Sequence, residues 1–184
     1  ARSSRRAIDD SREVCAELLG FDPHGIVFTS GGTESDNLAI HGACGSSGIA
    51  ACPATEHHAV LYPVESHKGR IIEVTAEGDV DLEHLEAVLD HEVSVVSVML
   101  VNNESGRIID LEPIAEVRDR RAPQALLHTD AVQAVNWMDI AKAATRADLM
   151  SLSGHKFGAP KGVGVLATRP HVELNAQLLG GGQE

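Results

Sequence analysis

The chain has 184 residues, of which 43% are hydrophobic and 17 are glycine, enough for one domain with its own core. Its formal net charge of −12 argues against nucleic acid or an anionic membrane surface as the main partner. No apolar run approaches the roughly 20 residues that cross a bilayer, and the basic residues 1–6 lack the apolar core of a signal peptide. We therefore expect a cytoplasmic globular protein whose three cysteines, Cys15, Cys44 and Cys52, are reduced.

Hydrophobic periodicity divides the chain into alternating helices and strands. Apolar stripes with helical spacing predict helices at 7–19, 31–42, 81–89 and 111–121. Short apolar runs predict strands at 25–29, 48–52, 70–74, 93–101, 126–130, 148–152 and 163–167. This alternation indicates an α/β fold, a three-layer α/β/α arrangement with a mainly parallel sheet. Such sheets bind ligands beyond the carboxyl ends of their strands, which is where the polar motifs fall.

The first polar motif is the glycine-rich turn between strand 25–29 and the next helix. Free backbone N–H groups and the positive end of a helix make such a turn a ready anion site. We assign the phosphate of a cofactor to it, with Gly32 and Thr33 as contacts. An ordinary glycine turn in which Thr33 is the helix N-cap fits the same residues. A Walker A loop does not, because no Gly-Lys-Ser/Thr follows.

Polar residues also follow two later strands, 48–52 and 93–101. His57 and His58 come after strand 48–52. A helix cap or an exposed surface position is the plain interpretation of His57, and we expect His58 to face solvent. Asn103 follows strand 93–101, whose continuous apolar run predicts a central strand, and its alternative is turn chemistry. Zinc held by Cys52 and the two histidines is a further alternative, although no fourth ligand is evident.

A carboxylate ends strand 126–130. Asp130 would be costly at the end of a buried strand without a partner. The pyridinium nitrogen of pyridoxal phosphate (PLP) would be such a partner, because an aspartate commonly pairs with it. The alternative is that Asp130 caps a helix that begins at Ala131.

The last polar motif joins strands 148–152 and 163–167 through an exposed turn that contains Lys156. A partly desolvated lysine amine at a strand end can form a Schiff base with a carbonyl group. Ser153 and His155 precede this lysine closely enough to belong to the same site. The alternative is a surface lysine in a turn rich in glycine and proline.

Five segments, taken in order, resemble the successive signatures of the cysteine desulfurases, which are fold-type I PLP enzymes of the class V aminotransferase group. The segments are 29–37, 55–60, 101–104, 128–133 and 153–156. Each alone is a weak signal, whereas five in order, with fitting spacings, extend the likeness over nearly the whole chain.

The resemblance implies a role for each candidate residue. Lys156 would hold PLP and move the substrate's α-proton, while His57 would stack on the cofactor ring and take part in proton transfer. Asp130 would pair with the ring nitrogen, and Gln133 and Asn103 would reach the phenolic oxygen. The implied phosphate contacts are Gly32, Thr33, Ser153 and His155.

The resemblance also implies a reaction and partners. L-cysteine would become L-alanine, and the sulfur would pass as a persulfide to an iron–sulfur scaffold or a tRNA-thiolation protein, within a homodimer. None of the three cysteines lies in the family's mobile nucleophile loop. We therefore expect residues 1–184 to be the PLP-binding large domain of a longer enzyme, inactive alone, without its N-terminal segment and small C-terminal domain. The link at 44–48 is shorter than the family leads us to expect.

Two alternatives use the same residues differently. One is another class V PLP enzyme, such as a transaminase or a selenocysteine lyase, because the same cofactor site would serve each of them. The other is an inactive module that keeps the fold and binds a partner. A cysteine loop elsewhere in the full protein would favour the desulfurase, and a chain that cannot take up PLP would favour the module.

Overall fold

The computed structural model describes residues 2–180. The helices are α1 Arg2–Leu19, α2 Gly32–Cys44, α3 His58–Ser66, α4 Leu82–Val88, α5 Leu111–Arg121 and α6 Ile140–Ala143. The strands are β1 Ile26–Thr29, β2 Ile49–Pro53, β3 Arg70–Ile72, β4 Val93–Ser97, β5 Leu126–Asp130, β6 Leu149–Ser153 and β7 Gly164–Thr168. Single 3₁₀ turns at Pro23–Gly25 and Gly154–Phe157 precede β1 and follow β6. Among the described residues, no helix is both long and apolar enough to cross a membrane.

The seven strands form one sheet in the order β1-β7-β6-β5-β4-β2-β3. Strands β2 to β6 pair in parallel, whereas β7 lies antiparallel between β1 and β6. The prediction of a mainly parallel sheet is confirmed. The antiparallel strands did not follow from the pattern, because a short apolar run does not state its direction.

Helices cover both faces of the sheet. Alternate strand residues point to opposite faces, so Val95 and Val96 of β4 enter different apolar clusters. The cluster that contains Val96 is shared with α1, α4, α5 and α6, and the cluster that contains Val95 is shared with α2 and α3. The three-layer α/β/α arrangement predicted from the sequence is therefore confirmed.

Some element bounds differ from the predicted ones, each for a local reason. Helix α1 begins at Arg2, five residues before the predicted start, because the apolar stripe that marked it covers only its later turns. Helix α3 was not predicted, since it is short and contains Pro63. Strand β4 ends at Ser97, yet the backbone N–H groups of Val98 and Leu100 still donate to carbonyl oxygens of the β5 chain.

A buried ion pair holds α5 against the start of β5 and β6. The Arg118 guanidinium donates to Asp148 Oδ2 at 2.9 Å and to the Ala125 carbonyl at 2.6 Å. Asp148 Oδ2 also accepts the Leu127 N–H at 2.8 Å. These bonds fix the amino ends of the two strands whose carboxyl ends carry Asp130 and Lys156.

Candidate active site

A cavity of about 580 Å³ opens where the parallel strands end. Its walls come from the segments after β1, β4, β5 and β6 and from the link between β2 and α3. This is the edge at which open α/β sheets bind ligands. The nine candidate residues from the sequence all line it: Gly32, Thr33, His57, Asn103, Asp130, Gln133, Ser153, His155 and Lys156.

The glycine-rich turn presents the amino end of α2 to the cavity. Gly31 is the N-cap residue and has no side chain with which to cap the helix, so the alternative in which Thr33 is the N-cap is wrong. A Cβ atom at Gly32 would come within 2.9 Å of Val132 Cγ2 and 3.3 Å of Ser153 Cβ, because the turn packs closely on two neighbouring loops. Backbone N–H groups at such an end attract an anion.

Lys156 reaches the cavity from the 3₁₀ turn that follows β6. Ser153, at the end of β6, is only 2% exposed, and its hydroxyl lies 3.0 Å from His155 Nδ1. The Lys156 carbonyl accepts a hydrogen bond from the Asn136 amide at 3.0 Å. Lys156 itself is exposed, since the 3₁₀ turn leaves the strand at the open side of the cavity. The described residues therefore leave the Lys156 side chain open to solvent.

Asp130 forms part of the floor of the cavity. It is 8% exposed, and its Oδ1 accepts the Val132 N–H at 2.8 Å. Burial raises the pKa of Asp130, while the Val132 hydrogen bond and the charges of His57 and Lys156 lower that pKa. The helix-cap alternative is wrong, because residues 132–137 form turns and α6 begins only at Ile140.

His57 serves as the N-cap of α3 and also lines the cavity. Its Nδ1 accepts the Ala59 N–H at 3.1 Å, as the helix-cap interpretation predicts. His58 is exposed and stacks on Tyr62 with 4.9 Å between the ring centroids. Cys52 is fully buried, unlike the two histidines. In the part of the chain that the structure describes, no three His, Cys, Asp or Glu side chains are placed to hold a metal ion, so the zinc alternative gains no support.

Asn102 and Asn103, the two asparagines after β4, have different positions. The side chain of Asn102 forms the turn, since its Oδ1 accepts the N–H groups of Glu104 and Ser105 at 3.0 and 2.9 Å. Asn103 is exposed and lines the cavity. The turn chemistry considered for this pair therefore belongs to Asn102.

Sequence reasoning missed a buried polar group beneath the cavity. Asp36, on α2, is 1% exposed and lines the cavity, and its Oδ1 has no hydrogen-bond partner. His128, on β5, is fully buried, with Nδ1 2.7 Å from the Ser97 hydroxyl and Nε2 2.9 Å from the Ser151 hydroxyl. Burial lowers the pKa of His128 to about 3, so its ring is neutral. The sequence signal that could have identified Asp36 is its position as an acid on the same helix face as the apolar Ala39.

Glu56 and Lys161 were missed as well. Glu56 is 5% exposed, its Oε1 accepts the Met99 N–H at 2.5 Å, and its Oε2 has no partner. Burial raises the pKa of Glu56 well above its ordinary value. Lys161 lines the cavity as a second lysine beside Lys156.

Known proteins resemble this chain in sequence and in fold. The family model described as aminotransferase class-V matches residues 1–184. The chain belongs to the class V aminotransferase family. One relative in this family is the cysteine desulfurase IscS of Edwardsiella ictaluri, 44% identical over 193 residues, an alignment that covers 98% of this chain and 47% of the relative.

Solved structures resemble the chain as well. A NifS-like protein is 31% identical with a TM-score of 0.90, and the alignment covers 98% of this chain and 52% of that one. A structure described as SspA in complex with cysteine is 33% identical with a TM-score of 0.88, covering 100% of this chain and 55% of that one. The predicted likeness to the cysteine desulfurases is confirmed. The chain spans about half the length of the relatives it matches.

Proposed function

We propose that residues 1–184 are the PLP-binding large domain of a cysteine desulfurase, which converts L-cysteine to L-alanine and passes the sulfur to an acceptor protein. The observation that carries this proposal is that a lysine and a buried carboxylate line one cavity. The charge of Lys156 lies close enough to Asp130 to lower the pKa of that carboxyl. The names of the relatives support the same activity.

The residues of the cavity fit PLP. The exposed Lys156 amine could react with its aldehyde, and the buried Asp130 carboxylate could pair with its ring nitrogen. The amino end of α2, which no side chain caps, could bind its phosphate. Bound there, PLP would supply an electron sink for bond changes at the substrate's α-carbon. The side chains would hold that group and move protons around it.

Each side chain then has a defined task. Lys156 would bind the cofactor covalently and afterwards carry the α-proton between positions on the substrate. Asp130 would stabilise the positive charge on the ring nitrogen, and His57 would lie against the ring. Gln133 and Asn103 would donate hydrogen bonds to the phenolic oxygen. The phosphate contacts in this proposal are Gly32, Thr33, Ser153 and His155.

The sulfur-accepting cysteine would come from outside this chain. Burial raises the pKa of the Cys15 thiol, that of Cys44 to about 11, and that of Cys52 further still. A thiolate is the nucleophile in sulfur transfer, and these three groups stay protonated at neutral pH. The proposal therefore includes a longer enzyme that carries the nucleophile, a homodimeric assembly in the cytoplasm, and an iron–sulfur scaffold or tRNA-thiolation protein as acceptor.

The experiment that tests the site uses the two lysines of the cavity in the full-length protein. We expect Lys156→Ala to abolish the visible absorption band of lysine-bound PLP, because the amine that binds the cofactor is gone. Lys161→Ala is the matched control, since it removes a lysine from the same cavity and should retain the band. A Lys156→Ala protein with the full visible band, or loss of the band only in Lys161→Ala, would disprove the assignment.

The reaction is tested separately. The full-length protein should form alanine and a protein persulfide from L-cysteine, which separates a desulfurase from a transaminase with the same cofactor site. PLP uptake without alanine formation from cysteine would leave the cofactor site standing and reject the desulfurase.

A further inference from the structure

Asp36 is a buried acid that the proposed reaction does not use. It lies on α2, one turn beyond the glycine-rich turn, and is 1% exposed. Its Oδ1 lacks a hydrogen-bond partner, although Asp36 lines the cavity together with Asp130. An unpaired carboxylate is very costly in such a place, whereas a protonated carboxyl is tolerated.

Asp36 and Asp130 have different polar and charged neighbours. Asp130 accepts the Val132 N–H and lies near the His57 ring and the Lys156 amine. Asp36 has the Ser151 side chain as a hydrogen-bond partner. It also has His128, whose Nε2 lies 3.7 Å from Asp36 Oδ1. It additionally faces the negative charge of Asp130.

Ionising two carboxyl groups that share a buried site is costly, and a proton on one of them removes the repulsion. We propose that Asp36 keeps this proton and acts as a positioning residue, which leaves Asp130 as the ionised carboxylate that faces the cavity. Burial and the Asp130 charge raise the pKa of Asp36 by more than the Ser151 hydrogen bond lowers it, in agreement with this assignment. The part that concerns the ring nitrogen of PLP rests on the proposed function, whereas the location of the proton does not.

A chain of buried hydrogen bonds orients Asp36. The Ser97 hydroxyl contacts His128 Nδ1, His128 Nε2 contacts the Ser151 hydroxyl, and Ser151 contacts Asp36. The chain crosses β4, β5 and β6 and ends on α2, so it fixes the carboxyl relative to the strand that carries Asp130. Because the His128 ring is neutral, the chain supplies hydrogen bonds without a charge that would ionise Asp36.

The test is infrared spectroscopy of full-length protein carrying aspartate labelled with ¹³C at the side-chain carboxyl, recorded at neutral pH without PLP. The label separates aspartate from the buried Glu56. We expect an isotope-shifted carbonyl band of a protonated carboxylic acid in the wild type. The band should be lost in Asp36→Asn, retained in the matched variant Asp130→Asn, and displaced in Ser151→Ala, which removes one hydrogen bond from the labelled group.

Each contrary result overturns the assignment. A wild type without the band has no protonated aspartate, and a band that survives Asp36→Asn but disappears in Asp130→Asn puts the proton on Asp130. If Asp36→Asn does not fold, a band in Ser151→Ala at the wild-type frequency still contradicts the proposal.

The same samples are then mixed with PLP. A wild type that shows the infrared pattern and gains no visible band would refute the proposed function while leaving the proton on Asp36. A protein that gains the visible band without the infrared pattern would refute the role of Asp36 alone.

Discussion

At the scale of the residue, Glu56 shows how much burial governs the acids around this cavity. Its ionised form would leave Oε2 unpaired in the interior, so the folded chain holds a proton that the unfolded chain releases once the pH exceeds the ordinary glutamate value. The wild type therefore becomes less stable as the pH rises from the ordinary glutamate pKa toward the raised pKa of Glu56 in the folded chain. The slope for one such group is up to about 1.4 kcal/mol per pH unit.

Glu56→Gln should remove this dependence. The amide oxygen can still accept the Met99 N–H, and the side chain never ionises. Relative to the wild type, we expect the free energy of unfolding of Glu56→Gln to be higher at about pH 8, and the gain to shrink as the pH approaches about 4. Urea unfolding of the cofactor-free full-length protein measures the difference at both pH values.

The control for this prediction is an exposed glutamate. Glu116 lies on the outer side of α5, so Glu116→Gln should change stability by less than about 0.5 kcal/mol at either pH. A Glu56→Gln effect of the same size at both pH values would contradict the titration argument.

Residues at the ends of strands were predictable, and residues beneath them were not. Asp130 and Lys156 stood out because a polar side chain after an apolar run is visible in the sequence itself. Asp36 and His128 depend on partners from other elements: His128 bonds to hydroxyl groups 31 and 23 residues away. Those contacts exist only once β4, β5 and β6 have paired, so no local pattern signals them.

At the scale of the element, the pair Arg118–Asp148 should be strongly coupled. Arg118→Met would remove the guanidinium partner of the buried Asp148 carboxylate, whose remaining contacts are the Leu127 N–H and the His171 ring. Removing one partner of a buried ion pair typically costs about 3–5 kcal/mol. We expect a loss of this order in urea unfolding, and the double variant Arg118→Met/Asp148→Asn should recover part of it because no charge is left unpaired.

An exposed pair provides the comparison. Lys142 and Asp139 are 87% and 54% exposed at their side chains, so Lys142→Ala should cost less than about 1 kcal/mol. A double variant at Arg118 and Asp148 that is as unstable as the sum of the two single variants would show that the buried pair is not coupled.

Elements with local signals were predicted well. Helix α5 has the predicted bounds, since Asp110 caps it and Pro113 lies in its first turn. Strand β3 was predicted to continue to Val74, but that residue forms only an isolated bridge with Val80. The position of β7 between β1 and β6 could not be foreseen, because the order of strands depends on contacts that are distant along the chain.

At the scale of the whole molecule, the three cysteines should be dispensable for sulfur transfer. None of them lines the cavity, and burial keeps their thiols protonated near neutral pH. The full-length triple variant Cys15→Ala/Cys44→Ala/Cys52→Ala should retain persulfide formation from L-cysteine, measured by mass spectrometry together with the yield of alanine. The wild-type stretch 1–184 produced alone should give neither product.

The contrary results are clear. If a single variant at Cys15 or Cys44 abolished the persulfide and left PLP absorbance and folding intact, the nucleophile would lie within this chain. Persulfide formation by the isolated stretch would have the same meaning. Either outcome would require a rearrangement that brings a thiol to the cavity, because none of the three lines it.

The place of β7 in the sheet also sets an order of events during synthesis. Strand β1 pairs with β7, and Thr29 lies opposite Gly164. Because β1 is synthesised long before β7, its backbone stays unpaired until Gly164 has left the ribosome. A Cβ atom at Gly164 would come within 2.6 Å of the Gly31 backbone, so the arrival of β7 also completes the packing of the turn assigned to phosphate. A nascent chain halted before residue 164 would expose an unpaired β1 and an incompletely packed glycine-rich turn, and unpaired strand edges recruit chaperones or aggregate.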